Sequence, residues 1–355
     1  MNGACSLPRR LATLALCLAS LSAAAQSHWR QVAVPYYGAE AYAQGAALAL
    51  VARADRFATA SRSLVTALDV YCAAPKGAVP SLQAPWAAAV AAWDGLVVLA
   101  TGPLVERRSA RSIDFMPARP ELLARAVASA PKDVVDLERV GAPARGFPAL
   151  ELLLFGPGPV ARAAPATAEC DYAQLVAADI EREAAALLAA AGQRIDTPAE
   201  GEAAEAQLLE TTNQWAAGVE QLRWVFMRKP IEVAQSRGTA PAYPRSLSRQ
   251  TATGWAARWQ TLMQTAVLGS RAVPVPGREA VPFESLLRGR GLNPLADQLV
   301  EATNRADRAL RGLRAEQSKQ VMAASEALAA LGTLMQEAVA PALGVQMAFS
   351  DADGD

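Results

Sequence analysis

The segment Gly146-Phe147-Pro148-Ala149-Leu150-Glu151-Leu152-Leu153-Leu154-Phe155-Gly156 is almost wholly apolar and carries one carboxylate, Glu151, in its middle. Pro148 predicts a short helix here, because proline fits the first helical turn, where its missing N–H would be unpaired anyway. Glu151 then follows one turn later on the same face. An ionised carboxylate among apolar side chains costs several kcal/mol unless a cation, a metal or several donors meet it. We therefore expect Glu151 to lie at a rim, to be paired, or to contact a ligand.

The composition of the whole chain predicts an all-α protein. Of its 355 residues, 52% are hydrophobic and 6% are aromatic, which is enough to bury one or two sizeable cores. Alanine-rich runs with little apolar–polar alternation favour helices over strands. The 34 basic and 34 acidic residues balance. No basic block stands out, so nucleic acid is not an expected partner.

Residues 1–25 have the features of a cleaved secretory signal peptide. Arg9 and Arg10 form the charged start, and Ala23-Ala24-Ala25 is a small-residue cleavage site after an apolar run at 11–21. A lipoprotein anchored through Cys17 is less favoured, because Leu16 stands where a small residue is needed. The apolar run is too short to span a bilayer, and no later stretch is long enough. We therefore predict a periplasmic protein.

Two cysteines, Cys72 and Cys170, remain after the signal peptide is removed. An even pair in an oxidising compartment predicts a disulfide, with two separate buried thiols as the alternative. His28 is the single histidine, so one chain cannot build a His-based triad or a multi-His zinc site. A bound metal would need carboxylates, carbonyls, tyrosines or water, which suit hard ions.

Helical periodicity, prolines and glycines divide the rest of the chain into helices and loops. Helices are predicted at 34–71, 81–101, 170–191, 202–226, 294–312 and 316–339, with one or two short ones between 121 and 140. Another begins at a cap on Ser246 or Ser248 and ends at 268, after a loop that opens at Lys229-Pro230. A break at 192–201 predicts two helical halves, residues 26–196 and 197–355.

The segment Gly146-Phe147-Pro148-Ala149-Leu150-Glu151 lines up with the Gly-x-His-x-x-Glu motif of the imelysin-like family, with Pro148 at the position of the His. The chain also resembles this family in the Trp86 helix followed by Gly102-Pro103, in Ile113-Asp114-Phe115-Met116-Pro117 and in its tail, residues 349–355. The tail and the proline variant look like a lipoprotein-type branch.

This resemblance implies two four-helix-bundle-like halves related by a pseudo-two-fold axis, with the motif near their interface. It also implies a role in the uptake of iron or another divalent metal at the periplasm or cell surface. A periplasmic or membrane protein of an iron-uptake system is then an expected partner. The family's peptidase label rests on its His-x-x-Glu pair, and Pro148 cannot ligate zinc.

Five residues are candidates for ligand contact, and Glu151 among them is also the candidate metal ligand: Glu151, Asp114, Arg111, Arg249 and Trp86. Each has a simpler alternative. Glu151 could pair with an arginine such as Arg111, Arg145 or Arg249. Asp114 could be a solvated loop residue, and Trp86 a core residue. Near the Trp-bearing helices, Asp94 and Arg245 are further pocket candidates. Alternate carboxylates in the tail, at Asp351, Asp353 and Asp355, resemble the start of a calcium loop, but the later ligands are missing.

We favour the hypothesis of a non-enzymatic periplasmic protein that binds iron, another metal or a metal-bearing ligand. One alternative is a metal-dependent, peptidase-like hydrolase with Glu151 as general base. Another is a periplasmic interaction scaffold. No catalytic residue is assigned from the sequence.

Overall fold

The computed structural model describes residues 34–74, 79–157, 164, 167–269 and 272–346, and these residues form helices and connections without a strand. The all-α prediction is therefore confirmed. The predicted signal peptide, His28 and the acidic tail lie outside the described residues. No helix within the described residues is long and apolar enough to cross a membrane.

The described residues up to Asp196 form eight α-helices. In chain order they are α1 (Ala39–Ala73), α2 (Gln83–Val97), α3 (Pro103–Glu106), α4 (Ser109–Ile113), α5 (Pro120–Ala128), α6 (Val134–Glu138), α7 (Gly146–Phe155) and α8 (Ala168–Asp196). Short 3₁₀ turns at Val79–Leu82 and Ala142–Ala144 precede α2 and α7. The short helix predicted over the Pro148 segment is α7. One or two short helices were predicted between 121 and 140, and the structure has two there, α5 and α6.

The described residues from Gly201 onward form seven further α-helices. They are α9 (Gly201–Glu220), α10 (Lys229–Arg237), α11 (Thr251–Ala266), α12 (Phe283–Gly289), α13 (Asn293–Leu310), α14 (Ser318–Leu334) and α15 (Ala340–Ala342). A π-helical segment at Gln221–Arg228 joins α9 to α10, and another at Met335–Val339 joins α14 to α15.

Two boundaries predicted from glycine and proline are wrong. Helix α8 continues through the glycine at 192 and ends at Asp196, so the break is shorter than predicted. The predicted loop at Lys229-Pro230 is helical, because the π-helical segment before it accommodates the proline within a continuous helix. There the N–H of Lys229 bonds the carbonyl of Trp224, five residues earlier, and Pro230 occupies the first turn of α10, where it needs no donor.

The start of α11 also differs from the prediction. Neither Ser246 nor Ser248 caps this helix. Gln250 occupies the cap position, and its side chain makes no capping hydrogen bond to the helix backbone. Ser248 instead bonds a glutamate in another helix, as described below, and is not free to act as a cap.

Helices α1 and α8 form a long antiparallel pair. A disulfide joins Cys72 near the end of α1 to Cys170 near the start of α8, with a Cα–Cα distance of 5.9 Å. One turn further along both helices, the side chain of Asp69 accepts a hydrogen bond of 2.7 Å from the side chain of Gln174. The predicted disulfide is thus confirmed, and it ties the ends of two helices that already pack side by side.

Removing this disulfide is expected to lower the free energy of unfolding by about 2–4 kcal/mol, since it closes a long loop in the unfolded chain. The closed segment spans 98 residues. The comparison is Cys72→Ser/Cys170→Ser against wild type in urea denaturation. Dithiothreitol should lower the stability of wild type to that of the double variant and leave the double variant unchanged. Equal stability of the two proteins without reductant would contradict the prediction.

The buried apolar residues form two separate cores. The first core lies within residues 50–191 and includes Phe57, Trp93 and Phe147. The second core takes most of its residues from 208–345, joined by Tyr37, Tyr42, Val98 and Leu99 from the earlier chain. Helix α1 therefore starts in the second core and continues through the first. The cores meet where α2 packs against α11. The domain boundary near Asp196 and the pseudo-two-fold relation stay predictions.

Candidate functional site

Glu151, the lone carboxylate of α7, is buried at 6% exposure. Its Oε1 accepts two hydrogen bonds from Ser248, one from the backbone N at 2.9 Å and one from Oγ at 2.6 Å. Ser248 belongs to the turn at residues 244–249, which leads into α11 of the second core and is called the turn before α11. A single residue of this turn thus supplies two donors that compensate for burial of the carboxylate.

Asp114, directly after α4, has the same kind of environment. One carboxylate oxygen accepts from Trp93 Nε1 at 2.7 Å, and the other accepts from Arg245 Nη2 at 2.6 Å. The side chains of Asp114 and Arg245 are only 7% and 4% exposed. This ion pair is the second link between the first core and the turn before α11.

Arg245 lies at the centre of these contacts. Its guanidinium stands over the ring of Phe147, 5.2 Å from the centroid, an arrangement that favours the cation. Its Nη1 atom is buried without a hydrogen-bond partner. Burial alone would lower the pKa of Arg245, but the carboxylates of Asp114, Asp94 and Glu151 outweigh this effect, so its pKa is raised.

A third contact joins α2 to α11. Arg258 donates to Oδ1 of Asp94 from Nε at 2.9 Å and from Nη2 at 2.6 Å. Arg258 also stands 4.0 Å over the ring centroid of Phe226 and donates to Gln221 at 3.3 Å. Both of these partners belong to the π-helical segment after α9. This rare helical geometry, common near functional sites, therefore positions two contacts of the arginine.

We call these six residues the charge cluster: Asp94, Asp114, Glu151, Arg245, Ser248 and Arg258. Its three carboxylates come from the first core, and its two arginines and serine come from the second core or the turn before α11. A narrow cleft of about 10 Å³ lies beside it, room for about one water molecule. Its lining includes three charged residues of the cluster together with apolar and aromatic side chains: Asp94, Arg245, Arg258, Met116, Phe226 and Trp255.

The sequence-predicted candidates have different positions relative to the cluster. Glu151 and Asp114 belong to it, as do Asp94 and Arg245. Arg111 and Arg249 have exposed side chains and take no part in the contacts of the cluster. Trp86 is fully buried against Phe147 and Phe155, with ring centroids 5.8 and 5.5 Å apart. Arg145 lies 3.9 Å from Asp179 and has no part in binding Glu151.

Sequence reasoning missed Arg258, Ser248 and the two contacts from the π-helical segment. A signal for Arg258 was present, because it lies between Trp255 and Trp259 on a face expected to be buried. A charge at such a position requires a partner. Ser248 carried no comparable signal, since its role depends on a turn whose shape no local pattern predicts.

The buried pair of Asp114 and Arg245 leads to a prediction about pH. Burial raises the pKa of Asp114, the Arg245 cation lowers it in part, and Asp94 raises it again, with a net increase. A raised folded-state pKa gives a stability contribution that is present in acid and lost as pH rises through that pKa. Arg245→Gln removes the cation that lowers the pKa of Asp114. The variant should therefore lose this stability contribution at a higher pH than wild type does.

We therefore expect the free energy of unfolding of Arg245→Gln to increase between pH 7 and pH 5 by more than that of wild type. Urea denaturation at several pH values measures it. The control is Arg245→Gln/Asp114→Asn, in which the additional pH dependence should disappear. If the single and double variants have the same pH profile, Asp114 is not the group responsible.

Fold and charge cluster together define a class: an all-α protein with two helical cores, joined by buried carboxylates of one core and arginines associated with the other. The family model for Imelysin (Peptidase_M75) matches residues 50–343. The chain therefore belongs to the imelysin family. No curated protein matches the chain.

Two solved structures have a similar fold. One is an imelysin-like protein from Psychrobacter arcticum 273-4, 18% identical, with a TM-score of 0.71 over 90% of this chain and 100% of that chain. The other is from Parabacteroides distasonis ATCC 8503 and bears the name iron-regulated protein A precursor. It is 15% identical, with a TM-score of 0.67 over 87% of this chain and 96% of that chain. At these identities the likeness concerns the fold alone.

Proposed function

We propose that this protein is an exported, non-enzymatic binding protein of metal uptake, which takes iron or another metal as part of a small anionic ligand. The binding site in this proposal is the cleft beside the charge cluster. The observation that carries it is Arg245, a buried cation that lines the cleft and has one nitrogen, Nη1, without a partner.

A metal-bearing ligand suits the cluster better than a bare cation does. Each carboxylate already has a partner: Ser248 for Glu151, Arg245 for Asp114 and Arg258 for Asp94. Across the ranges that the structure describes, no group of three or more His, Cys, Asp or Glu side chains is placed to hold an ion. A bare ion at Glu151 would have to displace Ser248 and approach the Arg245 cation.

An anionic chelate would meet favourable partners in the lining of the cleft, where the carboxylate of Asp94 is already paired with Arg258. Arg245 offers its unpartnered Nη1 to a carboxylate or a similar oxyanion. Arg258, although bonded to Asp94 and Gln221, adds a second positive charge to the lining. Met116, Phe226 and Trp255 offer apolar and aromatic surface for the organic part of the ligand. In this proposal Glu151 acts indirectly, by holding Ser248 and with it the turn that carries Arg245.

The cleft must widen to accept more than one polar group of such a ligand, because it has room for about one water molecule. The turn before α11 is the element that we expect to shift. Its residues Arg245 and Arg249 have φ angles of 61° and 60°. This left-handed backbone conformation is unfavourable for residues other than glycine, and it tends to occur at binding sites.

Export is supported by two features of the chain. Residues 1–25 have the pattern of a cleaved signal peptide, and the disulfide between Cys72 and Cys170 is typical of an oxidising compartment such as the periplasm. The Parabacteroides protein with a similar fold is named as a precursor and as iron-regulated. Those words describe that protein, and they agree with the role proposed for this one.

Isothermal titration of the mature protein, residues 26–355, tests the proposal. The probes are ferric citrate, citrate alone, and ferric, ferrous, copper and zinc ions. We expect ferric citrate to bind more tightly than citrate or any free ion. Arg245→Gln and Glu151→Ala should each weaken it at least tenfold, which corresponds to about 1.4 kcal/mol or more.

The matched control is Arg288→Gln, which breaks another buried pair. Arg288 bonds Glu284 at 2.9 Å, and both side chains are 4% exposed. This variant should lose stability but keep wild-type affinity for ferric citrate. The proposal is wrong if wild type does not bind ferric citrate, or if Glu151→Ala and Arg245→Gln bind it as tightly as wild type does.

A hydrolase is the second candidate, and the family model's name, Peptidase_M75, is the observation that favours it. Two features oppose it. Pro148 stands at the position of the motif's histidine and has neither a lone pair nor a proton to offer. Glu151 would act as a general base only after releasing both donors of Ser248. Proteolysis by wild type that disappears in Glu151→Gln would support the hydrolase and displace the binding proposal.

A further inference from the structure

A second cleft lies between α1, α8, α9 and the turn after α2. It has space for about 20 Å³, roughly one or two water molecules or one carboxylate group. Its apolar wall is formed by Ala46, Ala47, Leu50, Leu99 and Pro103, and its polar wall includes Arg53, Arg194 and Glu210. It shares no lining residue with the cleft beside the charge cluster.

The charged side chains of this second cleft are not equally satisfied. Arg194 donates to Glu106 at 2.7 Å, and Glu210 accepts from the backbone N of Gly102 at 3.2 Å. Arg53 differs, since its Nε is buried without a hydrogen-bond partner. The described part of the chain offers no carboxylate within ion-pair distance of Arg53.

The electrostatics of Arg53 agree with this geometry. Burial and, to a smaller extent, the neighbouring Arg56 cation lower the pKa of Arg53, and Tyr42 opposes them, which leaves the pKa at about 10. A guanidinium whose pKa falls this far lacks a counter-charge, because a paired carboxylate would raise its pKa. The folded chain therefore presents beside the cleft a cation that is partly exposed as a residue, has a buried Nε atom, and has no anion to neutralise it.

We propose that the second cleft binds the carboxylate group of a small organic acid, with Arg53 as its counter-charge. The space suits a planar carboxylate better than the larger tetrahedral phosphate or sulfate. The wall of small aliphatic side chains suits a short apolar chain attached to that carboxylate. Glu210, which also lines the cleft, disfavours ligands with two or three negative charges, so the expected ligand is a monocarboxylate.

Titration calorimetry and thermal denaturation of the mature protein test this site, with sodium butyrate, acetate and sulfate as probes at equal ionic strength. We expect butyrate to bind and to raise the melting temperature most, acetate less, and sulfate no more than the sodium chloride reference. Arg53→Gln should weaken butyrate binding at least tenfold. Circular dichroism establishes that the variant is folded.

Arg56→Gln is the matched control. It removes the same charge from an exposed position three residues along α1, and it should keep the affinity of wild type for butyrate. A second variant gives an independent test with the opposite sign. Glu210→Gln retains an oxygen acceptor for Gly102 but removes the negative charge, so it should bind butyrate several-fold more tightly.

The site is refuted if butyrate does not bind, if it stabilises Arg53→Gln as much as wild type, or if sulfate and chloride have the same effect. Unchanged butyrate affinity in Glu210→Gln would also count against it. Neither Arg53→Gln nor Glu210→Gln touches the charge cluster, so both variants should bind ferric citrate as wild type does. The two proposals can therefore fail separately.

Discussion

Arg258→Met is expected to lower the free energy of unfolding by about 3–5 kcal/mol, the usual cost of removing one partner of a buried ion pair. Arg258 and Asp94 are 5% and 4% exposed, so the variant leaves the Asp94 carboxylate in a place that water hardly reaches. It also removes the guanidinium that stands 4.0 Å over Phe226. Urea denaturation at neutral pH measures the loss.

A double-mutant cycle separates the cost of an orphaned charge from the net value of the pair. Asp94→Asn/Arg258→Met should be more stable than the sum of the two single losses predicts, because neither charge is then left alone. Asparagine preserves the size of the side chain, which is needed because Asp94 packs against Gly254. Additivity of the two single effects would show that the charges are not coupled.

An exposed pair provides the control for this cycle. Arg305 and Glu301 are four residues apart on α13, and their side chains are 57% and 73% exposed. Arg305→Met should change stability by less than about 0.5 kcal/mol, since solvent screens such pairs. Equal losses in Arg305→Met and Arg258→Met would mean that burial does not determine the cost.

Sequence reasoning was most successful where one local pattern determines the result. The apolar stretch with Pro148 predicted α7, and an even pair of cysteines in an exported chain predicted the disulfide. Helical periodicity located most of the long helices. It failed at Pro230, because the π-helical segment that accommodates this proline depends on packing against α14 and the arginine at 258, which local propensity does not describe.

The charge cluster was predicted only in part, for a related reason. A carboxylate in an apolar stretch requires a partner if it is buried, and this requirement identified Glu151 as a candidate from the sequence. The identity of that partner depends on tertiary structure. Arginines such as Arg111 and Arg249 were reasonable candidates, because a cation is the usual partner of a buried carboxylate. The donors to Glu151 are instead the backbone N–H and the hydroxyl of Ser248. Ser248 is uncharged, so the sequence did not indicate it as a partner.

Gly146→Ala is expected to destabilise the protein severely, because it combines two independent costs. Gly146 has φ of 73°, a left-handed conformation that costs a side-chain-bearing residue about 1–2 kcal/mol. A Cβ there would also lie far inside van der Waals contact with the backbone carbonyl of Ile113. Backbone cannot rotate aside as a side chain can, so α4 and α7 would have to separate.

That separation would reach the charge cluster from both sides. Ile113 directly precedes Asp114, and α7 carries Phe147 and Glu151. We expect a total loss of roughly 4 kcal/mol or more, in the range of severe core substitutions, together with weaker binding of ferric citrate. The glycine of the Gly-x-His-x-x-Glu motif is thus required by the close approach of two backbones, whatever residue stands at the position of Pro148.

Gly192→Ala is the matched control, since the same methyl group is added within α8, where nothing lies within 4 Å of the new Cβ. It should stabilise the protein by about 0.5–1 kcal/mol through the higher helix propensity of alanine. Denaturation curves of the two variants therefore move in opposite directions. If Gly146→Ala were as stable as wild type, the contact between α7 and Ile113 would not position the cluster, and the structural role assigned to the motif's glycine would be wrong.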